Sequence, residues 1–176
     1  MNLKSISSPP NSGKVIKFHK KCGRSIKISD SFTVANKLEQ SEPNGIVFSD
    51  RAILPGEIVL LRACGKISTK FTEPLKIGLT IRDPSTLRTE KLCRLEKEFG
   101  SWIIPVFDFN TFSGTKHPVI HLCVLADNQD SLLMRLHQGV DGTNKVIVDM
   151  LCSSAKQFWV VLYMPANAPS MKFVGE

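Results

Sequence analysis

The chain has 176 residues, 42% of them hydrophobic and 22% charged. That fits one globular domain burying about 70% of its extended-chain surface without a metal or disulfide staple, and it excludes wholesale disorder. The formal charge of +7 is uneven: seven of the 23 basic residues fall in the first 30 positions, opposed there by Asp30 alone, and the rest is close to neutral.

In chain order, Met1 to Gly13 reads as a flexible polar tail rich in Ser and Pro, followed by a single domain over 14–176. Short apolar segments broken by Gly, Pro, Asn and Asp then predict strands near Lys14 to Phe18, Ser25 to Ile28, Phe32 to Ala35, Gly45 to Ser49 and Glu57 to Ala63. More are predicted near Leu75 to Ile81, Ser101 to Phe107, Val119 to Ala126, Ser131 to His137, Val146 to Cys152, Phe158 to Met164 and Met171 to Val174. Turn signals at Pro43-Asn44-Gly45, Leu54-Pro55-Gly56 and Asp141-Gly142 separate them at sandwich or barrel spacing, so the class is all-β. Pro55-Gly56 suits a type II turn, proline supplying φ near −65° and glycine the positive φ. Gly78 inside a strand marks a bulge or a close backbone approach. One stretch, Leu87 to Phe99, mixes apolar and charged residues and predicts a short surface helix serving as a crossover between sheets.

The longest apolar run, Phe158 to Met164, is far short of the ~20 residues of a membrane-spanning helix. The N-terminus also lacks the apolar core of a secretory signal, so the expected location is cytoplasmic. Cys22, Cys64, Cys93, Cys123 and Cys152 lie about thirty residues or more apart with no CxxC pair, which excludes a zinc finger or RING. Cys64, Cys123 and Cys152 sit in strand-like segments and read as small buried hydrophobes. His117 and His121 would suit a metal on a helix. On the predicted strand their rings stand ~13 Å apart and do not share an ion. A GxSxG elbow, a phosphate-binding glycine loop and a protease-type cysteine context are all missing, so neither a cofactor nor an enzyme is expected. Nucleic acid is disfavoured as a partner because the basic segment carries Phe18 as its lone aromatic platform.

Several landmarks together resemble the neuralized homology repeat, a β-sandwich module related in shape to the SPRY domain. They are Phe18-His19 with Gly23 and the Ile26/Ile28 alternation, Gly45 to Ser49, and Pro55-Gly56-Glu57 with Ile58 to Leu61. Leu75-Lys76-Ile77-Gly78-Leu79-Thr80 with Asp83-Pro84 and Leu87 behind it, then Trp102 and Phe158 to Leu162, complete the set over about residues 15 to 174. The chain departs from the family at Phe71-Thr72-Glu73 and over Asn110 to Asp130, and no RING or SOCS box follows. The resemblance implies an antiparallel β-sandwich, a SPRY or concanavalin-like jelly roll with at most one short helix.

It also implies a protein-interaction module. Such a module recognises substrates for a ubiquitin ligase acting on membrane-protein tails of the Notch-ligand type, with no catalysis of its own. Its ligand would be a protein or peptide, with an E3 ligase component as a further partner. Candidate contacts are Asp50 and Arg51 after the Gly45 to Ser49 strand, and Arg82 with Asp83 after Thr80; each could equally be a solvated turn charge. A different reading gives Lys14, Lys17, Lys20, Lys21 and Arg24 to an anionic membrane surface or phosphoinositide, at roughly 1 kcal/mol per well-placed cation. The plain alternative is an edge strand whose lysines discourage aggregation.

Overall fold

A strand that is apolar on one face must pack that face on another layer, and two such sheets make a sandwich. The computed structural model describes residues 15–38, 45–64, 73–106, 119–126, 132–140, 143–152 and 157–174. Its strands are β1 (Ile26–Ile28), β2 (Val34–Lys37), β3 (Ile46–Phe48), β4 (Ile58–Cys64), β5 (Leu75–Thr80) and β6 (Ser101–Val106). They continue with β7 (Val119–Ala126), β8 (Leu132–Val140), β9 (Thr143–Cys152), β10 (Trp159–Tyr163) and β11 (Ser170–Val174). One sheet has seven strands in the order β1-β2-β11-β4-β7-β8-β9, the other four in the order β3-β10-β5-β6, and every pairing is antiparallel.

Alternate residues of both sheets fill the space between them. Val59, Leu61, Ile120, Leu122, Met134 and Leu136 come from the large sheet, and Ile77, Leu79, Val160 and Leu162 from the small one. Phe18 packs on Phe173 with ring centroids 4.4 Å apart and planes tilted by 38°, and Trp102 and Phe158 meet edge to face at 6.1 Å. Each fully covered aliphatic or aromatic side chain contributes roughly 1.5–3 kcal/mol relative to exposure.

The small sheet is apolar on its outer face as well. Ile46, Phe48 and Val161 are buried there under Leu92 and Leu95, with Leu87, Ile103 and Tyr163 packed alongside. The cover is the connection from β5 to β6, a strap with 3-10 turns at Pro84–Thr86 and Thr89–Lys97. Three residues per turn set Leu92 and Leu95 on one line facing the sheet. Three side chains fix the strap. Tyr163 Oη donates to the Leu92 carbonyl at 2.8 Å, Lys76 Nζ pairs with Glu96 at 2.7 Å, and Lys21 Nζ donates to the carbonyls of Ser85, at 3.2 Å, and Leu87.

Three expectations are corrected here. The predicted surface helix is a 3-10 strap with two buried leucines. It is not a crossover between sheets, because β5 and β6 are hydrogen-bonded neighbours from Leu75↔Val106 to Thr80↔Ser101. The predicted strand at Lys14 to Phe18 reduces, among the described residues, to a single bridge, Phe18↔Ser49, since Phe18 N–H turns away to the Phe32 carbonyl. By contrast, Pro55-Gly56 forms the expected turn, with Gly56 at φ 89 and Glu57 N–H on the Leu54 carbonyl at 3.0 Å. Gly78 lies against β6 so closely that a Cβ would strike the Trp102 carbonyl and come within 2.6 Å of the Ile103 Cα.

Candidate functional site

Antiparallel register decides which loops meet. Phe48 pairs with Val161, and Thr80 with both Trp159 and Ser101, so the segments after β3, after β5 and before β6 emerge at one end of the small sheet. Asp50-Arg51 and Arg82-Asp83, far apart in sequence, thereby come to the same end. The strands that carry them are separated by β10, roughly 10 Å apart at two interstrand spacings.

The four predicted side chains play different parts at that end. Asp50 is exposed, and its carboxylate accepts the Lys17 N–H at 3.0 Å, holding the N-terminal segment on the end of β3. Arg51 folds back onto the following turn. Its guanidinium grips the Glu57 carboxylate through both nitrogens, Nη1 at 3.1 Å from Oε2, and Nη1 also donates to the Ala52 carbonyl at 3.1 Å. Glu57 also accepts the Leu54 N–H at 3.1 Å. Asp83 caps the strap: its Oδ1 accepts the Ser85 N–H at 2.8 Å, with Pro84 at the first position of the 3-10 turn. Arg82 projects into solvent, anchored through its backbone N–H on Thr80 Oγ1 at 3.2 Å.

Sequence reasoning missed two members of this end. Glu57 was read as the start of a strand, although the Pro55-Gly56 turn returns it to Arg51. Phe99 was read as part of a helix stripe, yet at 86% exposure it is the most exposed large hydrophobic side chain among the described residues. Gly100 follows it at φ 85, and a Cβ there would lie 2.6 Å from the Ile81 side chain, so this tight turn needs glycine. Ile81 N–H donates to the Gly100 carbonyl at 2.9 Å, so the backbone positions of Arg82 and Phe99 each lie one residue from that bond.

The basic edge is only partly free. Lys17, Lys20 and Arg24 are exposed along the outer side of β3, whereas the Lys21 ammonium is committed to the strap carbonyls. Lys14 lies outside the described residues. The His19 ring accepts the Lys21 N–H through Nδ1 at 3.0 Å.

Cys123 is buried, as expected of a small hydrophobe, whereas Cys64 at the end of β4 is only half-buried, and the Cys152 side chain lies outside what is described; Cys22 is half-buried too, and burial pushes its thiol up from the ordinary value. His117 lies outside the described residues, so its spacing to His121 is not observed. Among the described residues no group of three or more His, Cys, Asp and Glu side chains could hold a metal, and no helix is long and apolar enough to cross a membrane.

Comparison with known proteins bears on the fold and the family. The family model described as Neuralized matches residues 18–175. The crystal structure of the Drosophila melanogaster neuralized-NHR1 domain superposes with a TM-score of 0.71 at 21% identity, covering 93% of this chain and 99% of that one. The solution structure of the NEUZ (NHR) domain in Neuralized from the same organism gives 0.69 at 20% identity, covering 95% of each chain. At such identity the structural likeness speaks for the shared sandwich.

Proposed function

Because this chain belongs to the Neuralized family, as a protein-interaction module, we propose that it takes a short peptide segment of a protein partner at the end of the small sheet. On this reading it is the substrate-recognition part of a ubiquitin ligase acting on membrane-protein tails of the Notch-ligand type, and a separate component supplies catalysis. One observation carries the placement: Arg82 and Phe99, both exposed, each lie one residue from the hydrogen bond between Ile81 and Gly100. Arginine and aromatic side chains are the residue types that concentrate binding energy in interfaces, and a rigid turn lowers the ordering cost of using them. Asp50 and Asp83 add acidic groups for orientation. Arg51 serves by holding the neighbouring turn through Glu57.

The test is an affinity pull-down from cell lysate read by mass spectrometry, comparing the unsubstituted chain with Arg82→Glu/Phe99→Ser. Both side chains are exposed, so the double variant keeps its melting temperature while losing the partners that depend on this end. Unchanged recovery of every partner refutes the placement.

A second reading rests on the basic edge. Lys17, Lys20 and Arg24 are exposed there, and the Lys21 tether draws the strap, with exposed Arg88, beside them. These cations suit an anionic membrane surface or phosphoinositide. The attraction is screened over a Debye length of about 8 Å at physiological salt, so flotation with anionic vesicles should collapse as salt rises. Absent or salt-insensitive flotation counts against this reading.

A further inference from the structure

We propose that His121 and His137 form a two-imidazole site for an imidazole-preferring divalent transition-metal ion, Zn2+, Ni2+ or Cu2+, on the outer face of the seven-stranded sheet. The argument starts from pleat and register. Ile120, Leu122 and Leu136 are buried between the sheets, so the intervening His121 of β7 and the next residue of β8, His137, point to the opposite, outer face. The two are direct cross-strand partners. Their Cβ atoms are therefore about 4.5–5.5 Å apart, close enough for the rings to converge on one ion at the usual metal–nitrogen distance of about 2.0–2.1 Å. Histidines four apart along one strand lack that convergence, which is why sequence spacing gave no hint of the site.

A second feature singles out the same position. The β8–β9 register slips between Leu136 and His137: Leu136 faces Val148 and His137 faces Val146. Bulges of this kind locally increase twist and re-aim side chains, and they occur often beside functional positions.

Burial and the neighbouring His137 hold His121 below its ordinary value. Other groups on this face are Arg62 of β4, Arg135 of β8 and Lys172 of β11, which is opposite Arg62 in the register. Asp149 of β9 occupies the register position opposite Arg135. Leu60 and Val146 flank the histidine pair in its own row. The nearby cations repel a metal ion, so the site should be weaker than a four-ligand structural zinc site, with water filling the remaining positions.

The experiment is calorimetric titration of the chain with NiCl2 at pH 7.5 and at pH 5.5. One saturable equivalent is expected at the higher pH, weakened by at least about tenfold in His121→Gln and in His137→Gln, since disturbing even a ligand's supporting partner costs 10- to 100-fold. It should be unchanged in His19→Gln and Cys123→Ser, and weakened at pH 5.5, because metal binding to imidazole nitrogen competes with protons. Should a glutamine variant fold poorly, trace Cu2+ added to the unsubstituted chain gives the same answer by NMR, broadening the ring protons of His121 and His137 but not those of His19. No saturable binding up to millimolar NiCl2, binding that survives in the His121→Gln/His137→Gln double variant, or broadening at His19 instead overturns the proposal.

Discussion

Arg51→Ala tests whether this arginine acts as a structural brace or as a contact. The substitution removes both guanidinium contacts to Glu57 and the bond to the Ala52 carbonyl, leaving a carboxylate only 10% exposed beside a cation site that was 21% exposed. An exposed ion pair is worth at most about 1 kcal/mol, whereas stranding one half of a fully buried pair costs about 3–5. Water reaches the Arg51 side, so the expected loss lies between, about 2–3 kcal/mol. For a chain of this size, about 2–4 °C per kcal/mol converts that to a melting-temperature drop of roughly 4–12 °C. Glu57→Ala should cost at least as much, because it also deprives the Leu54 N–H of its acceptor. In a double-mutant cycle measured by calorimetry or urea melts, Arg51→Ala/Glu57→Ala should lose less than the sum of the singles by about 1–3 kcal/mol. A drop of under about 2 °C for Arg51→Ala, or strict additivity in the double variant, would refute the brace. Partner recovery by the double variant then separates roles, because a brace removed together with its partner should spare binding that Arg82→Glu abolishes.

Gly78→Ala should destabilise the domain by at least about 1–3 kcal/mol, the usual cost of overpacking, because the atoms in the way are β6 backbone that cannot rotate aside; a denaturant midpoint equal to that of the unsubstituted chain would contradict this. Lys21→Met keeps the aliphatic stem but removes the ammonium that holds Ser85 and Leu87. Amide exchange over 85–97 should then accelerate while β10 keeps its protection, and uniform exchange across both would show that the strap does not depend on the tether. The lowered pKa of His121 gives stability a pH dependence of known sign. The native state disfavours the imidazolium, so this contribution is intact above the unfolded value of about 6.5 and is lost as pH falls through it toward the lower folded value. His121→Gln should flatten the stability profile between pH 7 and pH 5, and an equally steep decline would refute the assignment.

Much of the sandwich was legible in the sequence, because turn residues punctuate short apolar segments such as those of β4 and β7. Ile46-Val47-Phe48 was legible as a strand but not as a middle layer. A continuous apolar run reports burial on both faces without revealing that Leu92 and Leu95 supply the second cover. The Leu87 to Phe99 stretch mixed charges with leucines in a way that suited a helix, and its actual role depends on its tethers to Lys21, Lys76 and Tyr163, all distant in sequence. At the candidate site, the turn chemistry of Pro55-Gly56 and Asp83-Pro84 could be read locally. The return of Glu57 to Arg51, the exposure of Phe99 and the pairing of His121 with His137 could not, since each depends on register or chain reversal rather than on neighbours.

The position of β11 bears on how the chain comes to be folded at all. This last strand is interior, lying between β2 and β4, so during synthesis β1 and β2 have no sheet to join until residues near Val174 leave the ribosome. Pairings of such long sequence separation are slow to form and leave strand edges open in the meantime. The nascent domain should therefore need shielding until β11 has emerged, and deletion of residues 170–174 should split the large sheet in two rather than trim its border.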